Sequence, residues 1–240
     1  MPNASPRCVR RGSRALLVGA CMAIACKSTD AEPTASTPSV TRVTEPTPSG
    51  AWENLLPSAA FAGFRRVPID PLASKAVWQV RPDGVLYIDG VGAKEMLLSE
   101  REIGDGRLQI EWRFLPVQPA TPDAAPTYNG GVYVRTPLDG KSWVQLQVAR
   151  AEKPPVVGDL IAQVPGKAER VDVFQTAPSP QPAVGEWVRY DVVMRGPRIE
   201  LSVDGRPAAV WAECPLLTGH VGLQAEGAPI EVRSLRYQPL

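Results

Sequence analysis

Apolar and polar residues alternate with a period of two along many short segments of this 240-residue chain, and no helical period of useful length follows the first 25 residues. The clearest segment is Arg107–Leu115, one face of which is apolar: Leu108, Ile110, Trp112 and Phe114. Such alternation is typical of β-strands with one buried face. Turn residues such as Glu226-Gly-Ala-Pro229 separate the segments. Short strands without crossover helices predict an all-β sandwich or barrel of antiparallel sheets.

A second alternating region, Asn129–Val148, contains two such segments joined by the turn residues Pro137-Leu-Asp-Gly140, which predicts a β-hairpin. The face of this hairpin that lacks the aliphatic residues carries large planar groups: Tyr133, Arg135, Trp143, Gln145 and Gln147. Amides and a guanidinium beside aromatic rings suit a sugar better than the Lys, Glu and Thr that are usual on a solvated strand. We therefore predict a sugar-binding face, although a merely amphipathic hairpin has the same alternation.

The charge balance and the histidine content narrow the possible functions. Lys and Arg number 26 and Asp and Glu 25, a formal charge of +1, so nucleic acid is not an expected partner. The chain has one His, and it lacks phosphate-binding glycine loops, Gly-x-Ser-x-Gly and the His/Cys spacing of metal sites. We predict no cofactor and no metal, although a cluster of Glu, Asp and amide oxygens would suit Ca²⁺.

Residues 1–25 have the layout of a bacterial secretion signal. Four arginines precede the apolar run Ala15–Ala25, which is too short to span a bilayer. Small residues precede Cys26, which resembles a lipobox with Cys26 as the lipidated residue. Cys21 is a rival site that would leave a shorter apolar run, and an ordinary cleaved signal peptide is the other alternative.

Residues 26–50 consist mainly of Ser, Thr, Pro, Glu and Ala, which predicts a disordered tether between a lipid on Cys26 and a folded domain at 51–240. Lys27 is not the Asp that retains lipoproteins at the inner membrane, so we expect the cell envelope and its outer membrane. Removal of residues 1–25 leaves a formal charge of −3 and, besides Cys26, only Cys214. No disulfide is then possible within one mature chain, and Cys214 is expected to be a packed thiol.

Several short motifs follow one another in an order that resembles the 3-keto-disaccharide hydrolase family, also known as DUF1080. They are Glu111-Trp112-Arg113, Asn129-Gly-Gly-Val-Tyr-Val-Arg135, Gln145-Leu-Gln147, Gly158-Asp-Leu160, Gly185-Glu-Trp187, Asp204-Gly205, and Gly222-Leu-Gln-Ala-Glu-Gly227 with Ile230-Glu-Val-Arg-Ser-Leu235. No single motif is specific, and the resemblance depends on their common order and spacing from about Trp52 to the end.

The resemblance implies a concanavalin A-like jelly roll of two antiparallel sheets with a concave face that holds a sugar. It also implies chemistry on glycosides that are oxidised at C3. A ketone at C3 acidifies the C2 proton, so that a base can remove it and the C1 substituent can leave by elimination, after which water can add back. Such a reaction needs a base, a group that stabilises the enolate, and an acid for the leaving group.

Carried over position by position, the resemblance implies three catalytic residues. Glu111 is a candidate base, Arg135 a candidate to stabilise the enolate oxygen, and Glu226 a second carboxylate where many members have His. Glu111 and Arg135 are expected to share one face with Gln147 if their strands are neighbours. The predicted substrate-binding residues are Asn129, Tyr133, Gln145 and Gln147.

Five positions depart from the family pattern, most importantly Gln145, which stands where the family usually has Glu. The others are Gly130 for Ser, Ile161 for Tyr, Val188 for Asn and Ser234 for Asn. An amide cannot remove a proton at neutral pH, so the chain could have kept the cleft without the chemistry. Three functions stay open at this point: a lipoprotein that binds and cleaves oxidised glycosides, a non-catalytic carbohydrate-binding lipoprotein, and a structural or protein-binding envelope lipoprotein.

Overall fold

The computed structural model describes residues 50–118, 126–154, 156–174 and 181–240. The chain divides into two units, Met1–Thr44, which lies outside these ranges, and Glu45–Leu240. The predicted signal peptide, Cys26 and the tether up to residue 49 also lie outside the described residues and stay predictions. In the described ranges no helix qualifies, by length and apolar character, as a membrane span.

Thirteen β-strands and no helix make up the secondary structure of the described residues. The strands are β1 (Glu53–Asn54), β2 (Phe64–Pro68), β3 (Val77–Val80), β4 (Leu86–Ile103), β5 (Gly106–Phe114), β6 (Tyr128–Thr136), β7 (Trp143–Arg150), β8 (Leu160–Gln163), β9 (Val171–Val173), β10 (Val188–Arg195), β11 (Arg198–Val203), β12 (Arg206–Trp211) and β13 (Gly219–Pro239). Neighbouring strands pair antiparallel throughout.

The strands form two layers that share β13. From Ile230 onward β13 pairs with β5, which continues into β10, β11 and β12. Up to Gly227 it pairs instead with β6, which continues into β7, β8 and β9. The change occurs at Gly227, which has a φ of 76° and where a Cβ would lie 2.6 Å from the Thr127 carbonyl oxygen. The turn-like residues after Ala225 thus bend one long strand and do not separate two.

Apolar side chains from both layers meet in one core. The four apolar residues predicted on Arg107–Leu115 are all buried in it, opposite Val132 and Leu146 of the other layer. The Tyr190 hydroxyl on β10 donates a 2.6 Å hydrogen bond to the Gln147 carbonyl on β7, which ties the layers together. The prediction of an all-β sandwich of antiparallel sheets is confirmed.

Candidate functional site

The outer face of the layer that contains β4, β6, β7 and β8 is hollowed into a cleft of about 570 Å³. This volume falls within the range of about 300–1,000 Å³ that is usual for small-molecule sites. The face is formed by alternate residues of the strands, because the intervening residues point into the core. The cleft is therefore the first place to search for function.

Side-chain amides form a connected chain across the floor of the cleft. The Gln145 Nε2 donates to Gln224 Oε1 at 2.8 Å, and the Gln224 Nε2 donates to Glu226 Oε2 at 2.9 Å. An ionised carboxylate can only accept hydrogen bonds. Glu226 therefore fixes the orientation of the Gln224 amide, which leaves only its oxygen to face Gln145.

The chain continues from Gln145 in the other direction. Its Nε2 also lies 3.0 Å from Gln147 Oε1, and the Gln147 Nε2 donates to Asn129 Oδ1 at 2.9 Å. Gln145 and Gln147 are only 3% and 4% exposed, so both amides are held by these bonds and not by solvent. The Asn129 oxygen is occupied, which leaves its NH₂ group as a donor towards a ligand.

The glycine pair Gly130-Gly131 gives the amides their space. Gly131 faces the cleft opposite Gln147, and a Cβ there would overlap Nε2 of Gln145, the diagonal neighbour of Gly131 on β7. Gly130 faces the core, where a Cβ would lie 2.6 Å from Ile230 Cδ1. A larger residue at either position would clash with its neighbours, so both positions require glycine for space, although neither has a positive φ.

Glu226 is the one acidic side chain among the described residues that line the cleft. Its other oxygen lies 3.5 Å from the ammonium group of Lys94, and its side chain keeps 23% of its surface exposed. A carboxylate that is held by one amide and one cation, yet is open to the cleft, can bind a hydroxyl or accept a proton.

Tyr133 closes one end of the floor. Its ring is 1% exposed, packs with Met96 and Leu98, and makes an edge-to-face contact with Trp143 at 6.1 Å between centroids. Burial, reinforced by the negative charge of Glu226, raises the pKa of the Tyr133 hydroxyl, so it stays protonated at neutral pH. Tyr133 shapes this end of the cleft more than it exposes a binding group.

The structure thus brings together five of the predicted residues, which line one cleft: Asn129, Tyr133, Gln145, Gln147 and Glu226. Two residues that contact Glu226 were missed by the sequence reasoning. Gln224 precedes Glu226 by two positions and so had to lie on the same face of a strand, a signal that was available. Lys94 gave no such signal, because its position depends on the pairing of β4 with β13.

Glu111 is not part of the cleft, and the prediction that it shares a face with Gln147 is wrong. Its strand, β5, pairs with β10 and β13 and not with β6 or β7. The side chain lies on the outer face of the opposite layer, where it accepts a 2.6 Å hydrogen bond from Arg233 Nε. Alternation predicted correctly that Glu111 faces away from the core, but not which layer it belongs to.

Arg135 is also outside the cleft, contrary to the prediction. Its φ is 49° and its side chain is fully buried at one end of the sandwich. The guanidinium donates to the carbonyl oxygens of Gly196 and Leu216 at 2.6 and 3.2 Å and to Asp105 Oδ1 at 2.9 Å. Burial lowers the pKa of Arg135, which the charge of Asp105 partly opposes. Arg135 therefore ties together three loops between strands at this end of the sandwich, those that contain Asp105, Gly196 and Leu216.

The positions that depart from the family pattern separate into two groups. Gly130 faces the core, Val188 is buried in the opposite layer, and Ser234 lies beside Glu111 on that layer. Only Gln145 and Ile161 line the cleft. Two of the five departures therefore change the surface that a ligand would meet.

The described residues contain no group of three or more His, Cys, Asp or Glu side chains that could hold a metal ion. The described residues that line the cleft include side-chain amides, one carboxylate, the cations Arg150, Lys153 and Arg170, and the aromatic ring of Trp143. Amides match the paired donor and acceptor character of sugar hydroxyls, and an aromatic side chain offers apolar surface to the C–H groups of a sugar ring.

Solved structures of other proteins share the fold of this chain. A carbohydrate-binding module, CBM66, from Bacillus subtilis shares 13% identity over 73% of this chain and 95% of its own, with a TM-score of 0.52. A Parabacteroides distasonis protein provisionally assigned as a glycosyl hydrolase shares 18% identity over 79% and 100%, with a TM-score of 0.53. The metal-free carbohydrate recognition domain of Emp46p shares 10% identity over 77% and 94%, with a TM-score of 0.54.

These similarities confirm the predicted concanavalin-like jelly roll and, at such low identity, nothing beyond the fold. No curated protein matches the sequence of the chain. The family model of the 3-keto-alpha-glucoside-1,2-lyase-like domain matches residues 51–238. This match covers nearly the whole folded unit and agrees with the ordered motifs of the sequence. The chain belongs to the family of 3-keto-alpha-glucoside-1,2-lyase-like domains.

Proposed function

We propose that the domain binds a glycoside in the cleft, with the sugar hydroxyls on the amide chain. The observation that carries this proposal is the connected set Asn129, Gln147, Gln145, Gln224 and Glu226, which lies on the open face of a domain of this family. Amides that are already held by one another do not have to be ordered when the ligand arrives, which lowers the entropic cost of binding.

We propose further that the bound glycoside already carries a ketone at C3, and that the domain cleaves it with Glu226 as the base. Glu226 takes the C2 proton, the electron pair of that C–H bond forms an enolate with the C3 ketone, and the enolate then expels the C1 substituent. The NH₂ group of Asn129 is the available donor for the enolate oxygen. Lys94, 3.5 Å from Glu226, would protonate the leaving oxygen. Addition of water to the resulting C1–C2 double bond completes a net hydrolysis.

The second candidate function is sugar binding without cleavage, and the substitution at position 145 favours it. Gln145 occupies the centre of the cleft floor, and its amide cannot act as a base. If the family reaction requires a carboxylate there, the amide chain would bind the glycoside and leave it intact.

The test uses residues 27–240, Glu226→Gln and, as the matched control, Glu111→Gln. The control makes the same chemical change on the opposite layer, beside Arg233. Each protein is incubated with 3-keto-trehalose, substrate loss is followed, and binding is measured by calorimetry. Turnover that Glu226→Gln abolishes and Glu111→Gln retains supports cleavage. Saturable binding without turnover supports the second candidate, and the absence of both contradicts the proposal.

We also propose that the mature protein is anchored in the bacterial envelope through a lipid on Cys26, since small residues precede this cysteine at the end of an apolar run. The full chain, Cys26→Ser and Cys21→Ser would be expressed in a Gram-negative host with labelled palmitate. Label that is lost only in Cys26→Ser supports the anchor. Label that is lost only in Cys21→Ser places it at the rival site, and no label in any form contradicts lipidation.

A further inference from the structure

The described wall of the cleft is rich in positive charge. Arg150, Lys153 and Arg170 all line it, against the single carboxylate of Glu226. The chain as a whole has almost equal numbers of cationic and anionic residues, 26 and 25. The excess of positive charge is thus a local property of the cleft and does not reflect the overall composition.

Two of the charges in this region are already matched by opposite charges. Glu226 is paired with Lys94, and Arg170 donates to Asp172 Oδ1 at 2.6 Å. A glycoside that enters the cleft therefore meets little net charge at these two places. They are ordinary exposed or half-exposed pairs, and each contributes little to stability.

Arg150 and Lys153 differ from this pattern. Neither forms an ion pair with a carboxylate among the residues that the structure describes. The Arg150 guanidinium lies over the ring of Tyr128, with its central carbon 5.5 Å from the ring centroid. Tyr128 also lines the cleft and pairs with Arg150 at the ends of β6 and β7, so this contact places the guanidinium at the rim of the cleft, where the Arg150 side chain stays exposed to solvent.

A guanidinium presents its N–H groups at its edge, in the fork that matches two oxygens of a carboxylate or sulfate. A second cation nearby adds attraction without demanding a particular geometry. Positive charge inside a cleft also concentrates anionic ligands, because the protein walls focus the field. Neutral hydroxyls, in contrast, would gain little from Arg150 and Lys153 that the amides do not already offer.

We propose that the cleft selects anionic saccharides, with Arg150 and Lys153 as the site for a carboxylate or sulfate group carried by the sugar. This inference rests on the proposed function, because it assumes that the amide chain holds the sugar hydroxyls. It adds the class of glycoside, and it assigns a role to two residues that the proposed reaction does not use.

The test compares neutral disaccharides with charged counterparts by calorimetry on residues 27–240. The probes are cellobiose, maltose and trehalose, each also with one glucose replaced by a glucuronic acid and with a 6-sulfate. We expect at least one charged form to bind about tenfold more tightly than its neutral parent in 50 mM salt. The advantage should shrink in 500 mM salt, because screening weakens exposed ion pairs.

Two variants localise the effect. Arg150→Gln should remove most of the advantage of the charged sugar while it leaves the affinity for the neutral parent nearly unchanged. The matched control is Arg198→Gln, which removes an exposed arginine that pairs with Glu200 on the opposite layer and should change neither affinity. A uronate that binds tightly while the sulfate does not would assign the group as a carboxylate, and the reverse would assign a sulfate.

The outcomes separate the two proposals. Neutral disaccharides that bind as tightly as their charged counterparts overturn the anionic class and leave the proposed function intact. A charge preference that survives in Arg150→Gln and in the double variant with Lys153→Gln also overturns it, because the site would then lie elsewhere. If only 3-keto-trehalose binds, charge gives no advantage and the anionic class is overturned alone. If 3-keto-trehalose does not bind either, the proposed function itself fails and the further inference fails with it.

Discussion

Replacement of Gln145 by Glu would restore the residue that is usual in the family, and we expect it to destabilise this fold at neutral pH. The NH₂ group of Gln145, with two N–H donors, lies within hydrogen-bond distance of three oxygens, those of Gln224, Gln147 and the Gly130 backbone. A carboxylate in the same position has nothing to donate, so oxygen would face oxygen at three places. The position is 3% exposed, and water cannot easily make up the loss.

The neighbouring amides can relieve only part of this conflict. Gln147 can turn its NH₂ group to the new carboxylate, because Asn129 can turn as well and donate to the Gln147 oxygen. Gln224 cannot do the same, since its NH₂ group is held by Glu226. The Gln224 oxygen and the Gly130 carbonyl are left facing a carboxylate. At about 1–3 kcal/mol for each buried group without a partner, the cost is about 3 kcal/mol at pH 7.

The loss of folding stability in Gln145→Glu should depend on pH in a defined direction. Burial, and the negative charge of Glu226 along the chain, raise the pKa of a carboxyl group at position 145 above its unfolded value of about 4.3. The folded state then holds a proton that the unfolded state has released, so stability lost at high pH returns as pH falls through the raised pKa. A protonated carboxyl can donate again, which restores one of the lost hydrogen bonds.

The measurement is urea unfolding of residues 27–240 from pH 8 to pH 5, for the wild type, Gln145→Glu and Gln145→Met. Gln145→Met loses the same hydrogen bonds without gaining a titrating group, so its deficit should be independent of pH. In the double variant Gln145→Glu/Glu226→Gln, the Gln224 amide is free to turn, so the free energy of unfolding should be about 1–2 kcal/mol higher than in Gln145→Glu alone. Gln145→Glu with wild-type stability at pH 7, or with a pH profile parallel to that of Gln145→Met, would refute the reasoning.

Three further predictions test the remaining contacts. Gly131→Ala should weaken saccharide binding about tenfold in calorimetry by displacing the Gln145 amide, whereas Gly104→Ala, whose Cβ would meet an atom only at 3.6 Å, should not. Arg135→Met should lower the free energy of unfolding in urea by about 3 kcal/mol, since it orphans two carbonyls, while saccharide affinity stays unchanged; lost affinity at wild-type stability would contradict its structural role. Burial tends to raise the pKa of Glu95, but hydrogen bonds from Arg66 and a backbone N–H lower it overall. Glu95→Gln should therefore lose stability at pH 7 in thermal melts, and this loss should shrink as the pH falls through the lowered pKa of Glu95; a loss that does not change with pH would contradict this assignment.

The sequence predicted the fold well because alternation and turns are local properties. The two-residue period of the apolar side chains predicts which face of a strand enters the core. Burial in β5 alternates with this period along the whole strand. The period does not reveal which strands are neighbours, since pairing depends on contacts far apart in the chain. Glu111 and Gln147 both point away from the core, yet the order of the strands puts them on opposite layers.

Arg135 shows a different limit. Its place in the alternation of β6 predicts that it follows Tyr133 on the cleft face, but a φ of 49° turns the backbone at this residue. Non-glycine residues adopt such a conformation rarely, and only where the surroundings compensate for it. Here the compensation is the set of hydrogen bonds to Asp105, Gly196 and Leu216, which come from three distant connections. Nothing within β6 itself could reveal them.

The arrangement around Gln224 bears on whether this domain has lost its chemistry. Gln224 presents its NH₂ group to one neighbour and its oxygen to the other, so it is best satisfied by a carboxylate on one side and an amide on the other. Glu226 is the carboxylate and Gln145 is the amide. An amide at position 145 is thus the complement of a carboxylate at position 226, and does not by itself indicate a degraded site. Among the described residues that line the cleft, the one carboxylate is Glu226, beside Lys94, and the proposed proton abstraction begins there.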